Sequence, residues 1–173
     1  MKHSICVALL ISTALLSCSH PNNKDLLDSL NNIQAMGDTL PLLAMYQLDS
    51  IKPLFENESE HLRNRARLLE IRLRDKAHIR HTTDNEIKNV YNYFKSHGNA
   101  KELQEAYYYM GSTYRDLNDY PKAVTNFLKS SSIANNSSID STLLQKTYSQ
   151  LSYLYNAQFN YSEALKTILK GLA

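Results

Sequence analysis

The chain has 173 residues, 21% of them charged, and a formal net charge of +2. That length suffices for one domain with a sizeable core. A nearly neutral chain with only four glycines does not advertise a nucleic-acid surface and leaves little material for phosphate-cradling loops.

Met1 and Lys2 open a short basic region, and an apolar run follows from Ile5 to Leu16. A spanning helix needs roughly 20 residues, so this run is too short to cross a membrane. It has the anatomy of a secretory signal over residues 1–17. Its end, Leu15-Leu16-Ser17-Cys18, resembles a bacterial lipobox. The resemblance implies lipidation of Cys18 and a membrane-anchored protein of the bacterial cell envelope, facing the periplasm or the cell surface. An ordinary signal peptide is the alternative. Cys6 lies inside the run, and residues 19–173 contain no cysteine. The mature fold can then hold no intrachain disulfide and no zinc-thiolate site.

Residues 18–24 are polar, contain Pro21 and read as a tether. Residues 25–173 read as one helical domain. Leu26, Leu27, Leu30 and Ile33 stand at helical spacing, and Gly37-Asp38 breaks that helix. A second helix spans 39–55, with Pro41 tolerated in the first turn and Pro53 ending or kinking it. A third runs over 59–77. Leu62, Ala66, Leu69 and Leu73 share one of its faces, with Leu68 and Ile71 roughly opposite. Two apolar faces suit a helix sandwiched between neighbours. Thr83-Asp84-Asn85-Glu86 reads as a capping box before a helix carrying Ile87, Val90, Tyr91 and Phe94. Helices follow at about 101–116, 121–133, 140–157 and 161–172, with turns at Asn118-Asp119, Asn135–Ser138 and Asn160. No segment alternates with period two for long, so the fold class is all-α.

Two stretches match each other at an offset of 41 residues. The first has Tyr107, Met110, Gly111, Tyr114, Tyr120, Ala123, Phe127 and Ser130. The second has Tyr148, Leu151, Ser152, Tyr155, Tyr161, Ala164, Ile168 and Gly171. Self-similarity at this scale marks a repeat array, with its clearest units at 104–133 and 145–172. The pattern resembles the tetratricopeptide repeat. Gly111 and Ala123 stand where that family brings two helices close, and Tyr114 and Phe127 where it fills the gap between them. The period exceeds the usual 34, and the linker Asn135–Ile139 plus a lengthened helix after Asp140 account for the excess. The resemblance implies an antiparallel helix-hairpin solenoid. Asp75-Lys76, Thr83-Asp84, the run from Tyr91 to Asn99 and Tyr107–Gly111 further resemble tetratricopeptide lipoproteins of Bacteroides-type bacteria. That closer resemblance implies an envelope location and protein–protein contact, with no defined reaction.

In that family the first helix of each pair lines a groove. The resemblance places Tyr108, Ser112, Arg115, Lys146, Ser149, Tyr153 and Asn156 there. Exposed Tyr and Arg are enriched among binding hot spots. The lysine–asparagine clamp that some relatives use for a peptide carboxylate is missing, with Tyr108 and Ser112 in its slots. The other reading is that Tyr108 and Tyr153 extend the core. Tyr107, Tyr114, Tyr120, Tyr148, Tyr155 and Tyr161 are assigned to the core.

Segment 61–81 holds seven cations against Glu70 and Asp75. Arg63, Arg67 and Arg74 fall on one helical stripe that suits anionic lipid headgroups or an acidic partner. The alternative is a solvated face balanced by neighbouring acids such as Glu56, Glu58 and Glu60. His78, His81, Asp75 and Asp84 lack the HExxH spacing, so no metal is expected. No cofactor and no catalytic constellation are expected either. Asp28-Ser29-Leu30, Asp38-Thr39-Leu40, Asp49-Ser50-Ile51 and Asp140-Ser141-Thr142 resemble the Asp-Ser/Thr-aliphatic motif glycosylated in exported Bacteroides-type proteins.

Two functions are consistent with these readings. The first is a lipid-anchored scaffold that binds a protein or peptide of unspecified identity. The second is the periplasmic sensor arm of a longer signalling protein, with continuation or self-association at the C-terminal end.

Overall fold

The computed structural model describes residues 23–133 and 141–172. The signal, Cys18, the linker Asn135–Ile139 and Asp140 lie outside the described residues. Within them the chain is all-helical, with eight α-helices: α1 (Asn23–Gly37), α2 (Pro41–Ile51), α3 (Glu60–Lys76), α4 (Asn85–His97), α5 (Ala100–Asp116), α6 (Tyr120–Ser132), α7 (Ser141–Ala157) and α8 (Tyr161–Leu172). A 3₁₀ turn, Lys52–Phe55, extends α2. Pro53 causes the change, because it removes a backbone donor and its ring crowds the preceding turn.

Neighbouring helices pack in pairs, α1 with α2 through to α7 with α8. Each even helix before α8 also packs on the odd helix that follows it. The odd helices meet in succession, α1 with α3, α3 with α5 and α5 with α7.

Three of the odd helices, α3, α5 and α7, are each 17 residues long. They end alike. His78, Asn118 and Phe159 adopt positive φ, at 57°, 62° and 59°. The amides of His78, Asn118 and Phe159 donate to the carbonyls of Asp75, Arg115 and Asn156. The next amides, of Ile79, Asp119 and Asn160, donate to Arg74, Tyr114 and Tyr155. This is the Schellman arrangement, which satisfies the last carbonyls of a helix. The same stop therefore occurs three times, although sequence similarity is clearest in the last two units.

The capping box expected at Thr83–Glu86 is not formed. Asp84 sits at the N-cap of α4 without a side-chain cap bond, and its carboxylate pairs with Lys88 at 2.7 Å. The capping box lies one helix later. Asn99 accepts from the Glu102 amide and the Glu102 carboxylate accepts from the Asn99 amide, both at 3.0 Å.

The core has two parts, divided by α3. Leu62, Ala66, Leu69 and Leu73 pack with Leu26, Leu30, Ile33, Ala44, Leu48 and Phe55. Leu68 and Ile71 face the other way, toward Ile87, Val90, Phe94, Tyr109, Phe127 and Leu151. The expected two-faced helix is thus observed residue for residue. Gly111 lies against Phe127: a Cβ there would stand 2.8 Å from the ring. In the second unit Ser152 replaces that glycine, and its hydroxyl donates to the Ala164 carbonyl at 3.0 Å.

The core assignment of Tyr161 is corrected, and Ile168, in the slot of Phe127, is not buried as Phe127 is. Tyr161 is 61% exposed and Ile168 is 37% exposed. Both lie on α8, and no described helix covers its far side.

Candidate interaction surface

The odd helices carry a polar stripe where they meet. Asp38, in the turn after α1, pairs with Arg72 at 3.0 Å and Lys76 at 2.8 Å. Arg72 crosses from α3 to Glu105 on α5 at 3.1 Å. Arg115 of α5 reaches back to Asp75 of α3 at 3.1 Å and forward to Gln150 of α7 at 2.7 Å. Ser112 donates its hydroxyl to the same Asp75 carboxylate. Two polar clusters thus cross the odd helices: Asp38, Arg72, Lys76 and Glu105 tie the first turn to α3 and α5, and Asp75, Ser112, Arg115 and Gln150 tie α3, α5 and α7.

Burial works against the charge of Arg72, but Tyr109, Glu105 and Asp38 outweigh it and hold the guanidinium charged. Burial likewise opposes the Asp38 carboxylate, and Lys76 and Arg72 pull its pKa below the usual 3.8. Lys146 differs. Burial, then Lys76 and Arg72, push its pKa down, and only Asp38 works the other way. It is an ammonium facing other cations, and no ion pair to it is formed among the described residues.

The seven groove residues divide into two groups. On α5, Tyr108 is 4% exposed and Ser112 is fully buried. Tyr108 packs edge-on against Tyr109 and Phe127. The expectation that these two line an open groove is corrected. Asp75 and Arg115 close over them from above, and burial with the facing Asp75 keeps the Tyr108 phenol neutral. Arg115 is half-buried and fully engaged. On α7 the stripe is open. Lys146 is half-buried, Ser149 and Asn156 are exposed, and Tyr153 is 59% exposed. These four stand at i, i+3, i+7 and i+10 and share one face. Periodicity had not singled out Tyr109, 2% exposed, beside Arg72 and Glu105.

The basic stripe is divided as well. Arg74 pairs with Glu70 at 3.2 Å and Glu86 at 3.4 Å. Arg63 donates to the backbone carbonyl of Glu58. Arg67 is exposed. Arg65 pairs with Glu102 and Glu105, Arg72 with Asp38 and Glu105, and Lys76 with Asp38. His81 is buried and its backbone amide donates to Asp116, while His78 sits in the exposed turn. Among the described residues no group of three His, Cys, Asp or Glu side chains is placed to hold a metal. No described helix is long and apolar enough to cross a membrane.

No protein-family model matches the chain, and no curated protein matches it.

Proposed function

We propose that this chain is a lipid-anchored helical-repeat scaffold of the tetratricopeptide kind, which binds a protein or peptide segment along its odd helices. The observation that carries the reading is the threefold recurrence of a 17-residue helix with the same stop. A unit repeated this way builds an extended surface from equivalent positions. The open part of that surface is the α7 stripe of Lys146, Ser149, Tyr153 and Asn156. Lys146, a cation among cations, favours a partner that brings a carboxylate.

The test is site-specific photocrosslinking in the producing cell's envelope. A photoreactive residue at Ser149 or Tyr153 should capture protein partners, and one at the exposed Lys129 of α6 should not. Equal capture from both sides would overturn the assignment of the surface. Lipidation is tested separately: intact mass should show added acyl chains on Cys18, and Cys18→Ser should release the protein from membranes.

One observation favours the second reading, a sensor arm within a larger assembly. α8 exposes Leu165 at 60%, Leu169 at 56% and Leu172 at 78%. An apolar face of this extent is a contact surface by its chemistry. A Leu165→Lys, Leu169→Lys variant separates the two functions. It should keep crosslinking at Tyr153 if the α7 stripe is the binding surface, and lose it if the assembly forms through α8.

A further inference from the structure

A cleft of about 380 Å³ opens between the α2–3₁₀ arm and α3, lined by ten residues. Its floor is apolar and buried: Leu48, Phe55 and Ala66 are 2%, 3% and 7% exposed. Its rim is charged, and the charges are sorted by wall. The α2–3₁₀ wall brings Asp49 and Glu56. The α3 wall brings Arg63 and Arg67, one turn apart. A single pair, Lys52 with Glu70 at 2.7 Å, bridges the two elements. Glu70 is further held by Arg74. The backbone carbonyl of Glu58 fixes Arg63.

Asp49 and Glu56 form no ion pair with Arg63 or Arg67 among the described residues. Two acids and two bases therefore face one apolar floor without neutralising each other. That arrangement selects among ligands. A simple anion, such as a fatty acid, leaves two carboxylates facing it. A simple cation leaves two guanidinium groups. A zwitterion with an apolar body satisfies both walls and the floor. The volume lies low in the range of small-ligand sites, about 300–1,000 Å³, which suits two or three residues of peptide.

We propose that this cleft binds a short zwitterionic peptide with apolar side chains. Its terminal carboxylate lies on Arg67 and Arg63, its terminal ammonium on Asp49 and Glu56, and its side chains on Leu48, Phe55 and Ala66. Guanidinium groups take a carboxylate in a planar, two-bonded geometry, which sets the orientation of the peptide. The site is separate from the α7 stripe and does not depend on it.

The experiment is calorimetric titration of the full-length chain with leucyl-leucine, its N-acetyl form, its C-terminal amide and sodium octanoate. The free dipeptide should bind, and each blocked form should bind about tenfold more weakly, the loss of one charge-assisted contact. Arg67→Gln should weaken the free dipeptide about tenfold and shrink the penalty of amidation. Asp49→Asn should do the same for acetylation, as a paired cycle requires. Both positions are exposed, and circular dichroism checks that each variant is folded. No binding of the dipeptide at about 10 mM, equal binding of the blocked forms, or tighter binding of octanoate would each overturn the proposal.

Discussion

At the scale of single residues, His81 gives the fold a pH dependence. It sits in the long α3–α4 connection, its ring is buried, and its Nε2 has no hydrogen-bond partner. Burial pushes its pKa below 6.5. Asp116, Asp75 and Glu86 pull it up by less, and Arg74 adds to the depression. A base with a lowered folded pKa binds fewer protons folded than unfolded. Its stabilising contribution is whole above pH 6.5 and is lost as pH falls through the folded pKa. Asp38, whose pKa is held below its usual 3.8, loses its contribution only as pH falls below that value. Urea midpoints should fall between pH 7.5 and 5.5, and His81→Gln should flatten that fall. An unchanged slope would mean the imidazole charges without cost. Gln104 is a second such residue. It is fully buried and neither atom of its side-chain amide has a partner. Gln104→Met keeps the length and removes two unmet polar atoms, so stability should rise by about 1–2 kcal/mol. A loss of stability in urea would show that the amide is satisfied by water. Neither residue was legible in the sequence. Whether a polar group finds a partner depends on chain segments far away along the chain, as with Asp116 beneath His81.

At the scale of elements, helix positions were legible to within a residue or two, because Pro41, Gly37, Gly98 and the Asn turns act locally. The capping box was misplaced for a physical reason. Thr83–Glu86 has the right letters, but the Asp84 carboxylate turns to Lys88 and leaves its amides uncapped. Exposure was less legible still. The resemblance put the α5 and α7 stripes in one groove, but packing on Tyr109 and Phe127 and the contacts to Asp75 bury the α5 residues alone. Close helix contact was legible at Gly111. Gly111→Leu would drive atoms into the Phe127 ring and should cost roughly 3 kcal/mol or more. An unchanged melting temperature would place α5 and α6 further apart than described. The three helix stops offer the opposite kind of change. Asn tolerates the left-handed conformation and Phe does not. Phe159, 78% exposed at φ 59°, gains little burial to offset that strain. Phe159→Asn should therefore stabilise by about 1 kcal/mol, read from a thermal melt. A loss would show that the edge-on contact with Tyr161 outweighs the backbone.

At the scale of the whole molecule, α3 contributes to both cores described above. A chain whose parts contact mainly their neighbours need not unfold in one step. Hydrogen exchange should find the amides of α1 and α2 opening at least about 1 kcal/mol more easily than those of α5 and α6. A single opening free energy for all of them would mean that α3 couples the halves fully. α3 also answers to two sets of neighbours along its whole length. Eight of its 17 residues are buried; six divide between the two cores, Arg72 pairs with Asp38 and Glu105, and Asn64 donates to the Glu60 carbonyl. Leu69 cannot shrink without opening one side, nor Ile71 without opening the other. In a library of all single substitutions, selected only for surviving protein, α3 should accept the narrowest alphabet. The outer positions of α2 and α8 should accept the widest. Such a chain can drift freely at its flanks while its middle helix stays nearly fixed.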